Sequence, residues 1–230
     1  MKVLGRVLSC LLFCSVPAVH AAPALESSER PIATSWLAQA QQELARREYF
    51  LSRNEHGLQA PNRAQGFRSY FEGSAVRMVA RSAGSEPLAA LGLAGVGRID
   101  AEGQVQVEVR EDAVVEAREA QVTQRWSDLR ITHINRPLGL QQDILVERRP
   151  GGTGRLVLAI EVGAATPEPS AEGVALRSAH GRLLLGSIDA EDAHGRALPA
   201  TITATGQRVV LGIDDESAVY PGTIKTLLSG

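Results

Sequence analysis

The 230-residue chain predicts an all-β, antiparallel β-sandwich-like fold, preceded by a signal peptide and one amphipathic helix. Three observations support this. Apolar and polar residues alternate through Val105, Val107 and Val109 and again through Leu156, Leu158, Ile160 and Val162, the pattern of strands with one buried and one wet face. Turn pairs recur at roughly ten-residue spacing, as in His180-Gly181, His194-Gly195 and Thr205-Gly206, where each glycine can take a positive φ. Helical periodicity occurs once, ahead of the strands.

The N-terminus carries an export signal. Lys2 and Arg6 give a positive start, residues 7–19 an apolar run shorter than a membrane span, and Val19-His20-Ala21 a small-residue site for cleavage after Ala21. Residues 1–21 are therefore expected to be removed and the protein exported, to the periplasm, the cell surface or the medium. No second long apolar run follows, so no transmembrane segment is expected after cleavage. Both cysteines, Cys10 and Cys14, lie inside the signal. The mature chain then has no disulfide, no cysteine nucleophile and no cysteine zinc site. Residues 22–33 are small, polar and proline-bearing, which predicts a flexible mature N-terminus.

The helix is expected from a cap at Thr34 or Ser35 to Arg47. Trp36, Ala40 and Leu44 fall on one face, with Gln39, Gln42, Glu43, Arg46 and Arg47 around them. Trp36 reads as a packing anchor. Residues 48–54 suggest a first strand. Residues 60–81 then turn the chain from helix to sheet. Pro61 excludes a helix there, and Asn62 and Gly66 favour a turn. Phe67, Tyr70 and Phe71 form the densest aromatic cluster in a chain with only 4 Phe and 3 Tyr, and read as a core anchor. Val76, Met78 and Ala80 share one side of the next strand. Further strands are expected at 88–96, 104–110, two within 114–126, 129–135, 142–147 and 156–162, with a turn at 150–154. Residues 164–172, with Pro167 and Pro169, read as a linker or long loop. It divides a first β region (34–163, with the helix) from a second (173–230) packed on it, with strands at 174–177, 182–188, 200–204 and 208–213.

Composition narrows the chemistry. Apolar residues make up 44%, enough for a sizeable core, and charged residues 22%, with a formal net charge of -2. A nucleic-acid partner wants a strong basic excess, so Arg63, Arg68, Arg77 and Arg81 read as solvated or ion-paired arginines. His56, His133, His180 and His194 occur in no nucleophile–base–acid pattern, there is no G-x-S-x-G elbow, and neither H-x-x-x-H nor H-E-x-x-H is present. The acids within 189–195 and at Asp214-Asp215-Glu216 lack calcium-loop spacing and read as solvated turns. Gly92, Gly95 and Gly97 make a poor dinucleotide match with no following helix. No catalytic residue, metal ligand or cofactor is assigned, and no binding residue can be named.

Three stretches carry a resemblance. They are Trp36 to Tyr49 followed by APNRAQGFRSYF, then ITHINRPLGLQQDILVERRPGGTGRLVLAIEV, then GIDDESAVYP. Together they resemble the N-terminal domain of secreted bacterial proteins that carry FG-GAP (integrin-like) repeats, over residues 36–224. The closing segment Tyr220-Pro221-Gly222-Thr223-Ile224 departs from that family's pattern, and no FG-GAP repeat precedes Gly230. Integrin-like calcium and ligand binding therefore does not carry over. The resemblance implies a non-catalytic structural or binding module of the cell surface, with a cell-surface protein or polysaccharide as partner. The alternatives are a carboxylate-based hydrolase or a carbohydrate-binding module acting on cell-wall or extracellular polysaccharide.

Overall fold

The computed structural model describes residues 30–81, 86–99, 105–109 and 113–230. The expected signal peptide and most of the expected flexible N-terminus lie outside them. By internal contacts the chain divides into Met1–Ala40 and Gln41–Gly230. The one helix among the described residues, α1 (Arg30–Arg47), runs through that boundary. It starts earlier than the Thr34 or Ser35 cap predicts. Pro31 explains this, since proline is preset for the first helical turn, where its missing N–H has no partner to lose. Trp36, Leu37 and Leu44 are 68%, 51% and 66% exposed, so the packing reading of Trp36 finds no support among the described residues. Four-residue spacing defines a helix face; it does not supply something for that face to pack against.

Among the described residues seventeen strands follow. They are β1 (Ser52–Asn54), β2 (Gly57–Asn62), β3 (Phe67–Glu72), β4 (Ala75–Ala80), β5 (Pro87–Ile99), β6 (Val105–Val109), β7 (Val114–Arg118), β8 (Gln121–Arg125) and β9 (Leu129–Arg136). Then come β10 (Gly139–Val146), β11 (Arg155–Gly163), β12 (Thr166–Ser170), β13 (Gly173–Ser178), β14 (Gly181–Glu191), β15 (Ala200–Thr205), β16 (Arg208–Ile213) and β17 (Gly222–Ser229). All pairings are antiparallel. The first sheet runs β1-β2-β3-β4-β5-β11-β16-β15, with β6 also on β5; the second runs β12-β13-β14-β17-β10-β9-β8-β7. The sandwich-like, mostly antiparallel β architecture is as the alternation predicts.

The division at residues 164–172 is not. Residues 166–170 form β12, an edge strand paired to β13. Prolines suit an edge, where the missing N–H faces away from the ladder. The two β regions do not each make a sheet either. β15 and β16 join the first sheet, and β7–β10 join the second. β17, absent from the sequence-based strand list, lies in the middle of the second sheet between β14 and β10.

Period two sorts the side chains. On β3, Phe67 and Phe71 point into the core and are 0% and 8% exposed. They join Met78 of β4, Leu158 of β11 and Leu211 of β16 in one cluster with Ile131, Ile144, Leu185 and Leu228 of the second sheet. Each such side chain contributes about 1.5–3 kcal/mol on leaving water. Tyr70 is also buried, but it lies outside this cluster, on the other side of β3 from Phe67 and Phe71. Arg77 sits 4.7 Å over its ring, His56 meets it edge-on at 6.1 Å, and Asn54 Nδ2 donates to its hydroxyl at 3.3 Å. Burial raises the Tyr70 pKa, but the Asn54 and Arg68 hydrogen bonds and the Arg68 and Arg77 charges outweigh it and leave it lowered. The aromatic cluster thus serves both sides of the strand. Arg77 is paired to Glu72 at 2.7 Å and Arg63 to Glu48 at 3.5 Å, so these two arginines of residues 60–81 are indeed ion-paired.

Side-chain amides join the sheets at the β2 end. Asn62 Nδ2 donates to Asn135 Oδ1 at 2.9 Å and to the Arg136 carbonyl at 2.7 Å. Asn135 Nδ2 in turn donates to the Tyr49 and Pro61 carbonyls at 3.1 and 2.8 Å. Both asparagines are buried, and buried amides need such partners.

Candidate functional site: a polar groove over a buried ion pair

At one end of the sandwich the loop between β10 and β11 crosses from one sheet to the other. It carries Glu147-Arg148-Arg149-Pro150-Gly151-Gly152-Thr153-Gly154. The sequence gives a turn here, and Gly152 and Gly154 take φ of 100° and 88°. Beneath the loop lies Arg98, at the end of β5. Its side chain points inward, opposite Leu156 in the ladder, and is 4% exposed.

Arg98 satisfies several groups at once. Its Nη1 donates to Asp215 Oδ1 at 2.6 Å and to the Gly154 carbonyl at 3.3 Å, and its Nε and Nη2 donate to the Pro150 carbonyl at 3.2 and 2.9 Å. Asp215 also accepts from the Leu156 N–H at 3.1 Å and from the Tyr220 hydroxyl at 2.6 Å. Burial works to raise the Asp215 pKa, but Arg98 and Tyr220 outweigh it and hold it below the usual carboxylate value. The Tyr220 phenol moves the other way. Burial and the adjacent Asp215 carboxylate push it well above its usual value.

Over this buried pair opens a groove of about 490 Å³. Val96 and Gly97 form its base, with Gln106 and Glu108 from β6 and Asp128, Arg148 and Arg149 around them. Its size suits a small polar ligand or one sugar unit of a polymer. Glu108 and Asp128 each have an interaction partner within the protein. Arg149 is tied to Asp215 at 3.8 Å and donates to the Glu216 carbonyl at 2.9 Å, so the ion pair below fixes the groove wall above.

The glycines at the base explain a motif. A Cβ on Gly97 would lie 1.8 Å from the Gln106 carbonyl oxygen, and one on Gly95 would lie 2.4 Å from that of Glu108. The glycine-rich run read against a dinucleotide motif is what lets β6 lie against β5 and form one groove wall.

A second polar cluster lies between the sheets. His133 is 2% exposed and on the same face of β9 as Leu129 and Ile131. Its Nε2 is 2.9 Å from Gln124 Oε1, and its Nδ1 is 3.5 Å from Gln142 Nε2. Thr226 Oγ1 donates to Gln142 Oε1 at 3.1 Å. The adjoining cavity, of about 20 Å³, is lined also by Ser74 and Leu91 and has room for one water. Burial depresses His133 to about 4 from the usual 6.5. Folded His133 therefore stays neutral while the unfolded chain takes up a proton below pH 6.5. Stability is full above pH 6.5 and falls by about 1.4 kcal/mol per pH unit down to pH 4, where the folded form also protonates. Urea denaturation from pH 7 to pH 4.5 is expected to show this slope in the wild type and to lose it in His133→Gln. Equal slopes in the two proteins would refute the assignment.

The remaining residues weighed from sequence have structural settings. Asp192 is buried, not part of a solvated turn. It accepts from the N–H groups of His194, Arg196 and Val219 and from the Arg196 guanidinium at 3.0 Å. Burial acts to raise its pKa, but these hydrogen bonds prevail and lower it to about 2. Asp215 is likewise buried, which corrects the solvated reading of Asp214-Asp215-Glu216. His180 and His56 sit beside Glu86 and Glu55, each at 3.5 Å. Among the described residues, no three His, Cys, Asp or Glu side chains converge as a metal site would need. No described helix is long and apolar enough to cross a membrane.

Sequence reasoning missed Arg98, Gln124 and Gln142. Arg98 had one signal: it stands two residues after buried Val96, hence on an inward face, where a charge demands a partner. No family model, curated protein or solved structure matches this chain.

Proposed function

We propose that this chain is an exported, non-catalytic structural or binding module of the cell surface, of the type that leads FG-GAP repeat proteins. One observation carries the reading. The three stretches behind the resemblance meet in space as joints of the sandwich: Asn62 of the first bonds Asn135 of the second, and Asp215 and Tyr220 of the third close on Arg98 beneath the loop of the second. Residues spent on joints hold a rigid frame, and the polar groove is then the surface that frame presents to a polysaccharide or surface protein.

A specific observation favours a second reading. Glu108 and Asp128 line the same groove, as a carboxylate-based glycoside hydrolase would require. One experiment separates the two. The purified protein is incubated with insoluble cell-wall and extracellular polysaccharides, and both co-sedimentation and released reducing ends are measured. Binding without release is expected, weakened by Arg148→Ala. Release of sugar, abolished by Asp128→Asn or Glu108→Gln, would replace the module with the hydrolase. Neither binding nor release would remove the polysaccharide from the proposal.

A further inference from the structure

We propose that β15 is a self-pairing edge through which two copies of this chain join, continuing the first sheet across a two-fold axis. The inference is independent of the groove. Among the described residues the sheets have five edge strands, because β6, which carries Glu108, also pairs on one side only. Pro167 and Pro169 leave β12 without donors at two of its five positions, a usual guard against strand addition. β1 is three residues long, and β7 carries Glu116 and Arg118. β15, Ala200-Thr201-Ile202-Thr203-Ala204-Thr205, has neither proline nor charge and is half β-branched residues and more.

Its hydrogen-bonding phase leaves the outer edge open. The Asp214 N–H donates to the Pro199 carbonyl at 2.8 Å, which makes that pair a hydrogen-bonded one. Hydrogen-bonded pairs alternate, so Thr201, Thr203 and Thr205 bond Gly212, Val210 and Arg208 of β16. The N–H and C=O groups of Ala200, Ile202 and Ala204 then face the other way, where no described strand pairs with them. The three threonines are exposed, and the two alanines and Ile202 are half-buried.

The occupant is a second copy because the strand complements itself. With Thr203 on the axis, Thr203 meets Thr203, Thr201 meets Thr205, and Ile202 meets Ala204. The open groups of Ile202 and Ala204 become hydrogen-bonded pairs, large stands opposite small, and hydroxyls pair with no like charges opposed. Such an interface is isologous and closes as a dimer.

Sedimentation of the purified chain from micromolar to millimolar concentration tests this. A monomer–dimer equilibrium is expected. Thr203→Lys and Thr203→Asp should each weaken it by about tenfold or more, because each places like charges opposite one another, while an equal mixture of the two restores the dimer. With Cys10 and Cys14 replaced by serine, Thr203→Cys should oxidise to a disulfide-linked dimer. Non-hydrogen-bonded pairs hold Cα atoms about 4.5 Å apart, within disulfide reach. A chain that stays monomeric throughout, a dimer indifferent to both charge variants, or failure of Thr203→Cys to cross-link would overturn the proposal.

Discussion

Replacing Asp215 by alanine is expected to cost about 3–5 kcal/mol, a large share of the stability of a domain this size. The reason is what remains. Arg98 would keep its charge at 4% exposure with only the Pro150 and Gly154 carbonyls to receive it. The Leu156 N–H and the Tyr220 hydroxyl would lose their acceptor as well. Arg98→Met is expected to cost less, because Asp215 would still accept from Leu156 and Tyr220 and the methionine would fill much of the space. The double variant should cost less than the two single costs added together, since each single change strands a group that the other removes. Urea denaturation of the four proteins measures this. Asp215→Ala within about 1 kcal/mol of wild type would show that the pair is not the closed, buried unit described. The pH dependence has a definite sign. Folded Asp215 has a lowered pKa, so its contribution is present above the ordinary value of 3.8 and is lost as pH falls below it.

Gly97→Ala is expected to cost about 3 kcal/mol or more, because no side chain can yield: the new methyl would meet the Gln106 carbonyl of the neighbouring backbone. The strand β6 must then move away from β5, and with it the Gln106 and Glu108 side of the groove. Gly195→Ala is the useful comparison. A Cβ there meets nothing within 4 Å, but the backbone has φ +75°, so only the left-handed penalty of about 1–2 kcal/mol applies. Thermal melts should place Gly97→Ala well below Gly195→Ala. The reverse order would mean that β6 does not pack against β5 as described.

Most of the strands were legible because each reveals itself locally. Phe67, Phe71, Val76 and Met78 announce their face by period two, and the His180-Gly181 and Thr205-Gly206 turns announce the reversals. β12 was not legible, because Pro167 and Pro169 read as loop to any rule that ignores where in the sheet a strand lies. Sheet membership was also out of reach. Nothing in residues 208–213 says that their ladder partner is β11, about fifty positions upstream in the chain. The groove shared this fate. Its residues come from four separated segments, and its buried support joins Arg98 to Asp215 across more than a hundred residues. Trp36 shows the opposite case: a clear local pattern on a helix face that is largely exposed.

The central place of β17 has a kinetic consequence. It is made after every other described strand, yet β10 and β14 reach each other only through it. A nascent chain that already contains β7 to β14 still has a gap in the middle of its second sheet. The runs β1–β5, β7–β10 and β12–β14 can pair in the order in which they are made, but the second sheet closes only once β17 has been synthesised. Four pairings, β5 with β11, β11 with β16, and β17 with both β10 and β14, join strands distant in sequence, so folding is expected to be slow, on the order of milliseconds to seconds.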